Sequence, residues 1–224
     1  MIGAWYVEAG KYNVLPVDGR GVARFAEQRP QLSAETSTYR YYRGTGSIPT
    51  NAAAVVLNRP HAIVADVEIP AGGAEGILVA HGGNDSGYAF YIKDNRLTWV
   101  HNYVGRERHY VVSVEDVPEG RHALRFEFEV TGPPDIANRR GTPGRAQLYF
   151  DDRLVGSADV PVTTPLALGL TSGVVVGEAP GSPVTPEYHP PFAFTGTIDS
   201  ITYDVSGDLI VDDEATMRML MARQ

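Results

Sequence analysis

From His61 the chain alternates apolar and polar residues with a period of two, broken at short intervals by Gly, Asp and Asn, which predicts a run of short antiparallel strands. Ile63, Ala65, Val67 and Ile69 share one face of a strand spanning His61 to Ile69, and the opposite face ends in Asp66 and Glu68. The next strand, GILVAHGG, is apolar almost throughout and is expected to be central. Tyr88 to Lys93 and Arg96 to Tyr103 flank Asp94-Asn95, residues that tolerate positive φ, so they predict a two-residue type I′ hairpin. That turn sets Lys93 opposite Arg96, Phe90 opposite Trp99 and Tyr88 opposite His101. One face of the hairpin then carries Ile92, Leu97, Phe90 and Trp99 toward a core, running out into Tyr88 and His101. The other presents Tyr91, Thr98, Val100 and Asn102, the mixed surface of a shallow binding face.

His122 to Val130 alternates again, with Leu124, Phe126 and Phe128 inward and Arg125, Glu127 and Glu129 outward as a solvated face. A Gly-, Pro- and Arg-rich loop covers Thr131 to Arg145, the strands AQLYF and LVGSADV form a hairpin about Asp151-Asp152, and a last strand spans Thr195 to Val205. Ile2 to Lys11 fits a short helix, and TYRYYRG at Thr38 to Gly44 suits either a strand or a wrapping loop. Near Asp212 a terminal helix begins, with Asp212 and Asp213 at its N-terminus and an apolar stripe of Met217, Leu220 and Met221 that must cover something. The expected organisation is one domain: residues 1–50 as helix and wrapping segment, 51–206 as β-sandwich, 207–224 as C-terminal helix. The class is all-β, an antiparallel two-sheet sandwich with short N- and C-terminal helices.

Composition narrows the function. A chain of 224 residues, 43% hydrophobic, can bury a substantial core. Its formal net charge of -8, with pI near 5.2, argues against a sequence-independent grip on nucleic acid and against attraction to an anionic membrane. No apolar run reaches the length of a membrane span, and the N-terminus has no signal-peptide character, so the expectation is a cytoplasmic protein. With no cysteine the chain has no disulfide, no thiolate metal site and no cysteine nucleophile.

Several segments carry a family resemblance. GSPVTPEYHPPFAFTGTIDSITYDVSG from Gly181, followed by DLIVDDEATMRMLMARQ, resembles the C-terminal end of large bacterial arylsulfatases, the formylglycine-dependent enzymes that carry a β-sandwich after the catalytic domain. WYVEAGKYNVLPVDGR, from Trp5 to Arg20, looks like the stretch preceding that sandwich, and VEIPAGGAEGILVAHGG, from Val67 to Gly83, fits its interior. Gly19 stands where the family more often has a second acidic residue, and the chain opens with Met1. The resemblance implies a concanavalin A-like or laminin-G-like jelly roll. It covers the accessory part alone: the Cys/Ser-x-Pro-x-Arg motif from which the family makes formylglycine is absent, and the family's metal ligands lie in the other domain. A sulfatase catalytic domain, or a second copy met through the C-terminal helix, is the partner this implies, and sulfatase activity from this chain is not expected.

Candidate chemistry is sparse. Asp66 and Glu68 project from one strand face, roughly 6 to 7 Å apart, where jelly-roll retaining glycosidases place carboxylates about 5 Å apart. The chain lacks those enzymes' ExDxxE pattern, a G-x-S-x-G elbow and a phosphate loop. If it is an enzyme, Asp66, Glu68, Tyr91 and His101 are the residues to test. His101, His109 and Glu107 form a loose set for zinc. Asn84-Asp85 or Asp151-Asp152 offer oxygens for calcium, although such pairs ordinarily serve turns. No cofactor is expected. Tyr88, Tyr91, His101 and Asn102 gather the aromatic and amide groups a sugar-binding face needs. The leading expectation is a non-catalytic arylsulfatase C-terminal-like module for interaction or substrate positioning. The alternatives are a free-standing jelly-roll enzyme (lyase, glycoside hydrolase or biosynthetic cyclase) with a site on the concave sheet, and a carbohydrate-binding module.

Overall fold

Alternation along the strands leaves each sheet one apolar face to bury, and two sheets packed face to face satisfy both. A computed structural model describes residues 2–12, 14, 36–165 and 172–210. The chain divides into two compact units, Thr36–Asp212 and Met1–Glu35 with Asp213–Gln224. In the smaller unit, α1 (Ile2–Lys11) forms as expected, with Glu8 and Lys11 paired at 3.6 Å. The terminal helix expected from Asp212, with Met217, Leu220 and Met221, lies outside the described residues, as does the wrapping segment from 15 to 35.

The larger unit is a jelly-roll-like sandwich of two antiparallel sheets. Six strands make one sheet: β1 (Thr38–Tyr41), β2 (His61–Ile69), β7 (Gly120–Val130), β8 (Gly144–Phe150), β9 (Arg153–Val160) and β11 (Thr197–Asp204), in the order β1-β11-β2-β7-β8-β9. Five make the other: β3 (Gly76–Gly82), β4 (Gly87–Lys93), β5 (Arg96–Tyr103), β6 (Glu107–Val112) and β10 (Val174–Val176), in the order β10-β3-β4-β5-β6. The β4–β5 register runs from Lys93 opposite Arg96 to Tyr88 opposite His101, and Asp94 and Asn95 turn at φ of 49° and 59°. The aromatic string becomes β1, an edge strand paired with β11. Sequence alternation left β6 and β10 unread, because β6 is short and polar and β10 has only three residues. Among the described residues no helix is long and apolar enough to cross a membrane.

Between the sheets lie Ile63, Ala65 and Val67 of β2, Leu124, Phe126 and Phe128 of β7, Phe90 and Ile92 of β4, and Leu97 and Trp99 of β5. Trp99 stacks on Phe126 with ring centroids 4.3 Å apart. Each fully buried side chain of this size contributes roughly 1.5–3 kcal/mol.

A second apolar cluster sits on the far side of the five-stranded sheet. Ile77, Ala80, Ala89, Tyr91 and Val100 are capped there by Ala179, Val184 and Tyr188, with Phe192 packed alongside. Proline stiffens the segment from Gly181 to Phe194, and hydrogen bonds fix it: Arg108 Nε and the Tyr188 hydroxyl meet the carbonyl and the amide of Val184, and Tyr110 Oη meets Thr185 Oγ1 at 2.6 Å. This stretch therefore covers the hairpin's outward face. That is why β3, β4 and β5 are buried on both sides.

Candidate functional site

The residues expected to form a binding face are inside the protein. Tyr88, Tyr91 and His101 are 2%, 2% and 4% exposed and Asn102 is fully buried, which corrects the expectation of a shallow exposed platform. Tyr91 packs edge-on against Tyr188 and Phe192 beneath the proline-rich segment. Asn102 donates from Nδ2 to the Gly83 carbonyl at 2.9 Å and accepts from Gly105 N at 3.0 Å, closing the β5–β6 turn. Tyr88 faces the core, its hydroxyl 2.9 Å from that of Tyr203. His101 Nε2 accepts the Thr164 backbone N–H at 3.0 Å, so its ring is neutral with the proton on Nδ1. Burial, followed by the repulsion of His109 and His61, pushes its pKa down to about 3.

The other candidates are separate. Asp66 and Glu68 lie on the outer face of the six-stranded sheet, where Asp66 Oδ2 accepts from Ser200 Oγ at 2.9 Å and Glu68 pairs with Arg121 at 3.6 Å. His109 meets Glu107 at 3.7 Å, while His101 is turned to Thr164. The Asn84 backbone N–H reaches Ser182 Oγ at 3.4 Å. Among the described residues, no three His, Cys, Asp or Glu side chains assemble to hold a metal.

The structure brings together a different set. On the outer face of the six-stranded sheet a cross-strand row runs Asp204 (β11), Ala62 (β2), Glu127 (β7) and Gln147 (β8). At an inter-strand spacing of about 4.8 Å the row is roughly 14 Å long. Ala62 offers almost no side chain, so the row dips at its middle, and a shallow groove of about 380 Å³ forms there. Pro60, Ser206 and Gly207 close one end and Glu129 stands beside Glu127. Ser206 hydrogen-bonds Asp204, with its backbone N–H at 2.9 Å from Oδ1, and holds that carboxyl below its ordinary range. The Glu127 carboxylate forms an ion pair with Arg125, Nε lying 3.3 Å away, and the Arg125 guanidinium lies 4.3 Å over the ring of Tyr149, the next outward residue of β8. Burial and then the Glu127 carboxylate raise the Tyr149 phenol.

This groove is a place where rigid strands hold carboxylate, amide and hydroxyl groups around an open floor, with an aromatic ring one row away. Sequence reasoning assigned Glu127 and Glu129 to a solvated face and passed over Gln147, Asp204 and Ser206. The available signal was a small residue, Ala62, outward in a strand whose outward neighbours are larger; its partners across the sheet depend on register with β7 and β11, which join residues far apart in sequence.

No protein-family model matches the chain, and no curated protein matches it. Among solved structures, the CBM40 module of the Ruminococcus gnavus IT-sialidase bound to α2,3-sialyllactose is similar at 14% identity and a TM-score of 0.48, over 83% of this chain and 96% of that one. Domains LG4-5 of the mouse laminin α1 chain are similar at 14% identity and a TM-score of 0.43, over 80% and 41%. The SAP-like pentraxin of Limulus polyphemus is similar at 11% identity and a TM-score of 0.38, over 78% and 69%.

Proposed function

We propose that the sandwich is a non-catalytic carbohydrate-binding module that takes an uncharged, hydroxyl-rich sugar in the groove over Ala62. The observation that carries this reading is the row Asp204, Ala62, Glu127, Gln147: two carboxylates and an amide spaced along rigid strands about a low floor. Carboxylates accept from pairs of sugar hydroxyls, and the Gln147 amide both donates and accepts. Tyr149, steadied by Arg125, places an aromatic ring beside them for the apolar face of a pyranose. Asp66 and Glu68 are engaged by Ser200 and Arg121 and do not border the groove, which supports binding over hydrolysis.

The charge of the groove selects among sugars. Glu127, Glu129 and Asp204 repel a sialic acid carboxylate, so sialylated glycans of the kind bound by the Ruminococcus gnavus module fit poorly here. A role as accessory domain to a formylglycine sulfatase is supported by the segments Val67 to Gly83 and Gly181 to Gly207. It describes the setting in which such a module works and leaves the groove chemistry unchanged.

A glycan array read with the whole chain, followed by calorimetric titration of the best neutral oligosaccharide against the native protein and E127A/Q147A, tests the proposal. Neutral glycans are expected to bind in the micromolar to millimolar range, with at least a tenfold loss in the double variant. Absence of neutral-glycan binding at millimolar concentration, or equal binding by the double variant, overturns it.

A further inference from the structure

Near the start of β2, a small, partly open cavity of about 20 Å³ is bordered by His61, Trp99, His101 and Thr142, with Val56 and Phe128 among its apolar walls. A cavity needs about 10–15 Å³ to hold one water and about twice that for two. The space therefore suits a single water.

Two of its polar groups have no partner among the described residues. Trp99 is 3% exposed and Thr142 fully buried, yet Trp99 Nε1 and Thr142 Oγ1 make no hydrogen bond. The rest of Thr142 is engaged: its N–H donates to Asn58 Oδ1 at 3.1 Å and its carbonyl accepts from Thr163 Oγ1 at 2.8 Å. Of the polar groups of this cavity-lining residue, the hydroxyl alone is left without a partner among the described residues. Buried polar groups are ordinarily paired, by solvent where protein does not reach.

The two histidines complete the pattern through their tautomers. Thr164 N–H must donate to His101 Nε2, so His101 carries its proton on Nδ1. The Arg59 carbonyl, 3.0 Å from His61 Nδ1, can only accept, so His61 carries its proton there and keeps a lone pair on Nε2. The residues that border the cavity thus carry two N–H donors, on Trp99 and His101, one acceptor, on His61, and the Thr142 hydroxyl, which does either.

We propose that this cavity is a binding site for one structural water, which accepts from Trp99 and His101 and donates to His61 and Thr142. An anion would face the His61 lone pair, and a cation would face two N–H donors; only a molecule that both donates and accepts matches all four groups. The water joins β5 to β2 across the sandwich and ties both to the segment that delivers Thr142. The inference is independent of what the groove over Ala62 binds.

Nuclear magnetic resonance on the whole chain labelled at tryptophan nitrogen tests it, with Trp5 and Trp99 told apart by the variant W99F. In the native protein the Trp99 indole proton is expected to show a cross-peak to water with the sign of a long-lived bound molecule. Thr142→Val, which replaces the hydroxyl by a methyl of the same shape, is expected to abolish that cross-peak and lower Tm, while Thr142→Ser keeps it. If Thr142→Val fails to fold, the native and Thr142→Ser spectra still decide. No cross-peak in the native protein, a cross-peak that survives Thr142→Val, or an indole resonance that titrates with added chloride would each overturn the assignment of water.

Discussion

The hydroxyls of Tyr88 and Tyr203 meet 2.9 Å apart in the core, joining β4 of one sheet to β11 of the other. Both rings are almost wholly buried, and burial holds both phenols above their ordinary pKa, so each hydroxyl depends on the other for a partner. Removing one leaves the other unpaired at a cost of about 1–3 kcal/mol, while removing both leaves no orphan. Y88F is therefore expected to lower stability by that amount, and Y88F/Y203F to recover most of it. Urea denaturation of the two variants checks this, and additive losses would contradict it.

Acid should unfold the protein through its buried histidines. Burial pushes His61 and His81 down to about 4 and His101 to about 3. These rings stay neutral in the fold while the unfolded chain takes up protons near pH 6.5. Their stabilising contribution is thus complete above pH 6.5 and is lost progressively as pH falls toward 4 and then 3. Each such histidine adds a slope of about 1.4 kcal/mol per pH unit. Denaturation midpoints between pH 7 and 4 should show a slope of two to three protons, with one fewer in H101N. A flat profile would refute the assignment.

The proline-rich cover should contribute directly to stability. Tyr188 is buried, stacks on Phe192 with ring centroids 5.3 Å apart, and its hydroxyl accepts the Val184 backbone N–H at 3.1 Å. Truncation to alanine removes the ring from above Tyr91 and is expected to cost about 3–5 kcal/mol. Thermal unfolding of Y188A measures the loss, and near-ultraviolet circular dichroism should report the changed surroundings of Tyr91.

Gly76 stands where β3 starts beneath the end of that cover, at φ +120°. A Cβ there would run into the Ala193 carbonyl and the Phe194 backbone, which cannot swing aside as a side chain can. G76A is expected to destabilise by several kcal/mol, combining backbone strain with overpacking. By contrast G72A, at an exposed turn where a Cβ meets nothing, should carry only the strain of its positive φ. Comparing the two by chemical denaturation separates collision from strain.

The groove makes its own prediction. Ala62 is partly exposed on the outer face, so A62L should change stability by no more than about 0.5 kcal/mol. It fills the floor between Asp204 and Glu127, and neutral-glycan binding should fall at least tenfold by calorimetry.

The β4–β5 hairpin could be read residue by residue because its register is local: Asp94 and Asn95 adopt the positive φ that their side chains allow, and every pair then follows. The inner faces of β2 and β7 were equally legible, since Ile63, Ala65 and Val67 and their counterparts Leu124, Phe126 and Phe128 declare themselves by alternation. Whether Tyr91 and Val100 faced solvent or a second apolar layer was not decidable in this way. Their cover arrives from residues 179–192, and nothing in the spacing of a hairpin records which distant segment folds back on it. The groove was hidden for a related reason: Asp204 and Gln147 flank Ala62 and Glu127 only after strands from opposite ends of the chain pair.

Because its own residues close the outer side of the five-stranded sheet, the sandwich has a front and a back. A ligand approaching the back would have to displace Tyr188 and Phe192 from Tyr91, so with the proposed groove as its site the molecule would be univalent toward an extended polymer. Under that proposal, avidity on a repetitive glycan would come from several copies held on one scaffold, with linker length setting their effective concentration.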